Sequence, residues 1–397
     1  MDYKFTDAIA NLAPSAIREI LKYSSVPGMI SFAAGNPSPE AFPAEDIQRI
    51  TTEILTSNPI NALQYSVTEG YAPLRDTMKK YMSEKHNSFS QENDDELIIT
   101  SGAQQVMDLM TKAFVEKGDV IITEAPSFIG SLNTFRSYGA KLVGVPVDSD
   151  GMNVEKLEKA LQENKNAKFI YTIPNFQNPT GVTMSLAKRK AVYELAKKYG
   201  VLILEDNPYG EIRFAGENLP NIKSMDTEGI VVYAGSFSKV LSPGMRVGYA
   251  IGNKTIIAKL TVCKQTSDVH TTILMQMVTD EFLKQTDFEK HLEMLRGIYR
   301  QKANLMMDLM DEHFGDKITF HRVEGGLFVW CTLPKSVDMM DFCTKAVKEK
   351  KVALVPGTAF LINETDECHN FRTNYSTPTN EQLVKGMQLL GELAKEI

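Results

Sequence analysis

Lys239 is the residue best placed to do chemistry. It lies in Gly235-Ser236-Phe237-Ser238-Lys239, straight after the apolar run Ile230–Ala234, and the chain continues Val240-Leu241-Ser242-Pro243-Gly244-Met245-Arg246. A short apolar run bounded by turn residues reads as a buried strand. A lysine at the dry end of such a strand loses its proton more easily than one in water, and its free amine can attack a carbonyl. The hydroxyls of Ser236 and Ser238 and the fork of Arg246 are what a phosphate needs. An isolated lysine here would be a solvated loop residue. Two hydroxyls before it and an arginine after it point instead to an aldehyde that carries a phosphate, held by charge at one end and by a Schiff base at the other.

Four further segments put polar residues where an apolar run gives way to a turn. Ser101-Gly102-Ala103-Gln104-Gln105 joins a strand to a helix. Its glycine lets the backbone approach a ligand, and the start of the helix offers free N–H groups to an anion, although any strand–helix turn can contain Ser-Gly. Pro174-Asn175-Phe176-Gln177-Asn178-Pro179-Thr180-Gly181 also follows a strand. It is either an ordinary proline–glycine turn or a loop that presents Asn178. Leu204-Glu205-Asp206-Asn207-Pro208-Tyr209 ends another strand, where a lone acid is commonly a helix cap. In Asn370-Phe371-Arg372-Thr373-Asn374-Tyr375, alternation places Arg372, Asn374 and Ser376 on one face. On an edge strand that arginine would simply be solvated.

Taken in order, these segments resemble the fold-type I aminotransferases that use pyridoxal 5′-phosphate, over nearly the whole chain from about Ser15 onward. The similarity is greatest to the subgroup of 2-aminoadipate and kynurenine aminotransferases and the catalytic half of MocR-type regulators. The resemblance implies that Lys239 carries the cofactor and that Gly102, Ala103, Gln104, Ser236, Ser238 and Arg246 hold its phosphate. It implies that Asn178 and Tyr209 bond to the pyridoxal O3′. Asp206 would face the pyridine nitrogen and favour its protonated form. Phe128, in Glu124-Ala125-Pro126-Ser127-Phe128, would stack on the ring; many members have tyrosine there, with a polar contact that phenylalanine lacks. Arg372 would grip the substrate α-carboxylate, with Asn178 and the backbone of Gly35 beside it. Many relatives have leucine where this chain has Asn36, a departure that bears on side-chain specificity. Tyr65 would reach the phosphate of a neighbouring subunit, which implies a homodimer with shared active sites. Arg18 falls in a segment resembling the N-terminal helix that covers the substrate in 2-aminoadipate-type enzymes. It would pair with a distal carboxylate, or else be a solvated helix residue.

The implied reaction moves the amino group of an L-amino acid (2-aminoadipate-like, aromatic or aliphatic) to a 2-oxo acid such as 2-oxoglutarate, by ping-pong chemistry. The same residues would serve a β-lyase or a decarboxylase. A ligand-sensing module of MocR type is the alternative of another class. Its winged helix would need a domain that the few residues before Ser15 do not supply.

Positioning these residues takes an α/β scaffold. Apolar runs at Leu97–Thr100, Val120–Thr123, Lys141–Val145, Phe169–Tyr171, Val201–Leu204, Ile230–Ala234 and Val247–Ile251 alternate with helix-period stretches such as Gln104–Val115 and Ser185–Tyr199. This predicts a mainly parallel seven-stranded sheet sandwiched by helices. From Asp287 to Phe314 the pattern is one long helix, followed by short strands and helices that suggest a smaller α+β domain. The expected division is 46–285 for the large cofactor-binding domain, and 1–45 with 286–397 for the small domain and N-terminal lid. At 397 residues, 43% hydrophobic and 23% charged, the composition is that of a globular protein and excludes a largely disordered chain. A net charge of −7 argues against nucleic acid and anionic membranes as partners. The longest uncharged run, Phe169–Ala187, holds prolines, asparagines and a glycine and does not read as a membrane span. Cys263, Cys331, Cys343 and Cys368 form no C-x-x-C pair, the six histidines show no ligand spacing, and no metal site is expected. With no apolar leader after Asp2 and Lys4, the expectation is a cytoplasmic enzyme with reduced thiols.

Overall fold

Residues 3–10, 12 and 28–397 are described in a computed structural model of the chain; Arg18 and its neighbours lie outside them. All seven apolar runs are strands of one sheet. Its order is Asp95–Thr100, Gly248–Asn253, Val231–Ser236, Leu202–Asp206, Ala167–Thr172, Val120–Ala125, Lys141–Asp148 and Gly151–Met152. The last member is an eighth strand beyond the seven expected, and its two residues are too few to show any periodicity. Pairing is parallel from Val231–Ser236 across to Lys141–Asp148. Gly248–Asn253 runs antiparallel to both of its neighbours. A parallel return needs a crossover that spans a sheet face. The link from Ser236 to Gly248 holds only the short turn Pro243–Met245, so the chain doubles back and leaves Lys239 in the returning loop.

The central strands are buried on both faces: the consecutive pairs Ile121 and Ile122, Phe169 and Ile170, Ile203 and Leu204, and Val231 and Val232 are all fully inaccessible. The helices that cover them start and stop where local chemistry directs. Ser185 caps Leu186–Tyr199 by accepting from Lys188 N, and Gly200 closes it at φ 67°. Asp287 caps Phe288–Phe314 by accepting from Lys290 N. At 1.5 Å per residue that helix is roughly 40 Å long. It buries Leu292, Leu295, Tyr299, Met306 and Met310, and packs along the helix Asn380–Ala394.

A second, antiparallel sheet has the order Thr319–Phe320, Phe328–Thr332, Asn370–Asn374, Val355–Pro356. The apolar run Val352–Pro356 is divided between two sheets. Val352–Ala353 pairs in parallel with Ile30–Ser31, and Val355–Pro356 pairs with Asn370–Asn374. Pro356, which has no N–H to donate, sits on the edge of the sheet. The division does two things for function. It gives the strand carrying Arg372 a neighbour on each side, and it anchors the segment leading to Gly35 beside that strand. Among the described residues no helix is long and apolar enough to cross a membrane.

Candidate active site

Parallel strands aim their carboxyl ends to one side, and ligands bind there in open α/β sheets. The turns after Thr100, Ala125, Thr172, Asp206 and Ser236 all open on one cavity of about 310 Å³. It is lined by Gly35, Asn36, Ala103, Gln104, Phe128, Asn178, Asp206, Tyr209, Ser236, Ser238, Lys239, Arg246 and Arg372 among others.

One end of the cavity is built for an anion. The helix Ala103–Phe114 begins there, after Gly102 at φ 79°. First-turn N–H groups of a helix have no intrahelical acceptor and carry the positive end of its dipole. Gly102 suits glycine because φ 79° is a backbone that residues with a Cβ rarely adopt, and a Cβ there would also crowd the Arg246 guanidinium. Arg246 itself holds a left-handed backbone, φ 53°, uncommon for a residue with a side chain. Its guanidinium donates to Ser101 O at 3.0 Å and Pro243 O at 3.3 Å, which ties the two turns together. Ser236 Oγ accepts from Ser238 N at 3.1 Å and orders the second turn. The Gln104 side chain faces away from this task, donating to Gly130 O and Thr134 Oγ1.

Lys239 donates from Nζ to Gly35 O at 2.7 Å. Burial, with the Arg372 and Arg246 charges adding to it, lowers the ammonium from its ordinary 10.5 to about 8. The amine is therefore neutral far more often than a surface lysine's.

Asp206 is 4% exposed and is the acid of the cavity. Its Oδ2 accepts from Tyr171 OH at 2.8 Å, and that hydroxyl in turn accepts from Ser131 Oγ at 2.8 Å. Oδ1 is buried without a partner. Burial raises the carboxyl to about 7, with the Tyr171 hydrogen bond opposing it. A buried acceptor left unpaired costs about 1–3 kcal/mol, so a cavity with such an atom is shaped for a donor that completes it.

Arg372, 2% exposed, is opposite in charge and similar in logic. It donates to Asn178 Oδ1 at 2.8 Å and to Ala33 O at 2.9 Å. The guanidinium lies 3.9 Å from the Phe328 ring centre and 4.9 Å from that of Phe360. Nε has no partner. Burial lowers this arginine from 12.5 to about 9. Asn178 also hydrogen-bonds Tyr209, whose hydroxyl burial pushes well above its ordinary range. The Asn36 carbonyl accepts from Ser376 Oγ at 2.6 Å and Thr377 Oγ1 at 3.0 Å, which fixes the Gly35 segment to the end of the Arg372 strand.

Twelve of the expected residues therefore converge: Gly35, Ala103, Gln104, Phe128, Asn178, Asp206, Tyr209, Ser236, Ser238, Lys239, Arg246 and Arg372. Gly102 adjoins them as the residue before the helix. Tyr65 does not line this cavity; it is 82% exposed and stacks edge-on against His270, ring centres 5.9 Å apart. Arg18 lies outside the described residues. Sequence reasoning missed Tyr171, Ser131, Phe328 and Phe360. Tyr171 had a signal, since a tyrosine inside a buried strand must find a partner for its hydroxyl. The two phenylalanines had none, because an aromatic beside a distant arginine looks like any other core residue.

A model of the family described as aminotransferase class I and II matches residues 27–390. The chain belongs to that family. As a member it is an aminotransferase, and its cofactor is pyridoxal 5′-phosphate. It is 39% identical to the aromatic-amino-acid aminotransferase 1 of Thermococcus litoralis, over 100% of this chain and 95% of that one. It is 37% identical to the 2-aminoadipate transaminase of Thermus thermophilus, over 98% and 96% of the two chains. A solved kynurenine aminotransferase of Pyrococcus horikoshii superposes with a TM-score of 0.94 at 37% identity, covering 99% of this chain and 97% of that one. The residues of this aminotransferase fit the cofactor. The unpartnered Asp206 Oδ1 suits a protonated ring nitrogen, the low-pKa Lys239 suits the aldehyde, and the Gly102–Arg246 corner suits the phosphate.

Proposed function

We propose that this aminotransferase takes its amino group from an L-amino acid with a 2-aminoadipate-like, aromatic or aliphatic side chain. The acceptor is a 2-oxo acid such as 2-oxoglutarate, in ping-pong order. The observation that carries the reading is a pair of buried, unpartnered groups, Asp206 Oδ1 and Arg372 Nε, in the walls of the cavity that Lys239 lines. One suits the cofactor and the other a carboxylate. The names of the relatives, which span aromatic, 2-aminoadipate and kynurenine aminotransferases, support the breadth of the donor class.

Bound pyridoxal phosphate supplies an electron sink for charge that develops at the amino acid's Cα. The chain does the positioning and the proton transfer. Gly102, Ala103 and Gln104, through the backbone at the start of the helix, would hold the phosphate together with Ser236, Ser238 and Arg246. Asp206 would keep the ring nitrogen protonated, Asn178 and Tyr209 would bond O3′, and Phe128 would pack against the ring face. Arg372, with Asn178 and Gly35 beside it, binds the α-carboxylate bidentately and so fixes which Cα bond is in reach. Lys239 Nζ, with its ammonium lowered to about 8 and so neutral in a large fraction near that pH, would take the Cα proton and return it on the cofactor side. Phe328 and Phe360 cover Arg372 and keep water from competing for it.

The functional unit is a homodimer. Ile60, Leu63, Tyr65 and Val67 are all more than half exposed, and Tyr65 and His270 share a broad concavity with Asp268. Asp268 accepts from Ser101 Oγ at 2.7 Å, which connects this apolar surface to the phosphate turn. Contiguous exposed apolar surface marks an interface. A second copy here would bring its Tyr65 to the phosphate of the first. Residues 46–285 form the unit that holds the cofactor, and 1–45 with 286–397 the unit that supplies Gly35 and Arg372. The setting is the cytoplasm, where the four free cysteines stay reduced, and the acidic chain takes neither nucleic acid nor membrane as partner.

The test is the visible spectrum of the purified protein as single amino acids are added. The expected result is a yellow band that one donor class removes and 2-oxoglutarate restores. Bleaching by 2-aminoadipate or glutamate but not phenylalanine, lost in Arg18→Ala, would assign Arg18 to a distal carboxylate. A band that no L-amino acid changes would overturn the reading.

A further inference from the structure

Among the described residues Arg189 is the largest side chain that is wholly inaccessible, and the mechanism above does not use it. It stands in the first turn of Leu186–Tyr199, and the buried Glu205 carboxylate acts on it by charge without a direct salt bridge between them. Burial lowers its guanidinium to about 10. A charge kept in so dry a place without a direct salt bridge has to be held by hydrogen-bonding dipoles. Four acceptors do this. Nε donates to Met184 O at 2.9 Å, Nη1 to Pro220 O at 3.1 Å, and Nη2 to Pro174 O at 2.9 Å and Asn175 Oδ1 at 2.7 Å.

The choice of acceptors is informative. Pro174 and Met184 are the two ends of the loop that carries Asn178, and Met184 N also donates to Pro174 O at 2.8 Å. Arg189 thus closes the base of this loop from beneath. Its bond to Asn175 does more. An asparagine amide has one acceptor end and one donor end, and occupying Oδ1 with a cation directs Nδ2 the other way. Asn175 Nδ2 donates to Asn207 Oδ1 at 3.0 Å. Asn207 follows Asp206 and precedes Tyr209 by two residues. It donates in turn to Tyr233 OH at 3.1 Å and Asn221 Oδ1 at 3.3 Å. One buried guanidinium therefore sets both the shape of the Asn178 loop and its spacing from the loop that carries Asp206 and Tyr209.

We infer that Arg189 is a positioning residue for the Asn178 amide: it fixes the Pro174–Met184 loop and, through Asn175 and Asn207, registers Asn178 against Tyr209 and Arg372. This rests on the role proposed above for Asn178 at O3′ and the substrate carboxylate. Lysine cannot replace the fork, because a single ammonium does not reach four acceptors in a plane.

The test uses the full chain as Arg189→Lys, Asn175→Ala and Asn178→Ala, with and without pyridoxal phosphate. In the cofactor-free protein, hydrogen exchange is read at the Gln177 and Gly181 amides, which bond Val182 O and Gln177 O. Arg189→Lys is expected to speed it about tenfold or more, the loss of one charge-assisted bond. Exchange in Asn380–Ala394 should not change. In the loaded protein, the pH midpoint of the visible band should move in the direction that Asn178→Ala moves it, and KM for the donor should rise more than kcat falls. Asn175→Ala should reproduce both shifts, and it carries the test alone if Arg189→Lys does not fold. If the Arg189 and Asn175 variants keep the native midpoint and KM while Asn178→Ala changes both, Arg189 is only a structural staple and the inference fails. If Asn178→Ala changes neither, the role of Asn178 falls and the inference with it.

Discussion

Arg372→Met should separate activity from stability. Burial takes the Arg372 guanidinium from 12.5 to about 9, a loss of hydration of about 5 kcal/mol at about 1.4 kcal/mol per pH unit. Two contacts return part of it. The charged donor's bonds to Asn178 Oδ1 and Ala33 O are worth about 1.5–3 kcal/mol each. The faces of Phe328 and Phe360 add about 1 kcal/mol apiece. The terms nearly cancel, and methionine keeps an unbranched apolar stem between the two rings. The cofactor-free variant should therefore unfold in urea within about 2 kcal/mol of the parent, far less than a typical buried truncation of similar size. Catalysis has no such compensation. Losing a bidentate grip on the α-carboxylate removes about 3–5 kcal/mol, so kcat/KM for the amino donor should fall about 10²–10⁴-fold. Single-turnover absorbance against donor concentration, beside a urea titration of the same preparation, measures both. A fall in kcat/KM below tenfold, or a variant that loses stability and activity in proportion, would refute the reasoning.

Four further outcomes follow from the site. The rate at which added pyridoxal phosphate colours the cofactor-free protein should rise with pH to a plateau above about 8, the value to which Lys239 is lowered, and not near 10.5. Between those values the unfolded chain binds a proton that the folded chain has shed, so Lys239 makes the cofactor-free protein more stable as pH rises through that window; comparison with Lys239→Met by urea titration isolates the term. Tyr171→Phe removes the bond that opposes burial at Asp206, so its carboxyl should rise above about 7. Cofactor affinity at pH 7, measured by equilibrium dialysis, should drop about tenfold and recover at higher pH. Leu63→Glu, at an exposed position of the proposed interface, should give a monomer in sedimentation and weaken cofactor binding in parallel.

What was legible in the sequence depended on how local each signal is. The seven strands and the helix Leu186–Tyr199 were readable because apolar period, Ser185 and Gly200 act within a few residues. The division of 352–356 between two sheets was not, since nothing local tells Val352 from Val355 which neighbour it will meet. The site followed the same rule. Lys239, Ser236, Ser238 and Arg246 share one loop and announced a phosphate-bearing aldehyde by themselves. Asp206 and Arg372 were readable only through resemblance, because their partners come from far away in the chain: Tyr171 for the first, Ala33 and Phe328 for the second. Arg189 was least visible of all. A basic residue in Ala187-Lys188-Arg189-Lys190 looks solvated, and its neighbour Lys188 does reach the surface acids Asp148 and Asp150.

The cavity's charges also explain why these particular groups stay unsatisfied. Lys239, Arg246 and Arg372 line it together, and its acid, Asp206, is held near 7, where much of it is neutral. Each burial is unfavourable alone: the lysine is driven toward its neutral form and the arginine is kept charged without a carboxylate. A phosphate beside Arg246, a protonated ring beside Asp206 and a substrate carboxylate beside Arg372 would each relieve one of these costs. The stability missing from the cofactor-free fold is then recovered as ligand affinity, and it is recovered in parts. A ligand with a phosphate but no aldehyde should raise the melting temperature through Arg246 alone. At equal free concentration pyridoxal phosphate should raise it further, because engaging Lys239 and Asp206 as well lowers its dissociation constant and the shift grows as RT ln(1 + [L]/Kd). Equal shifts for both ligands at equal free concentration would mean that Lys239 and Asp206 add nothing to cofactor affinity, against what their burial implies.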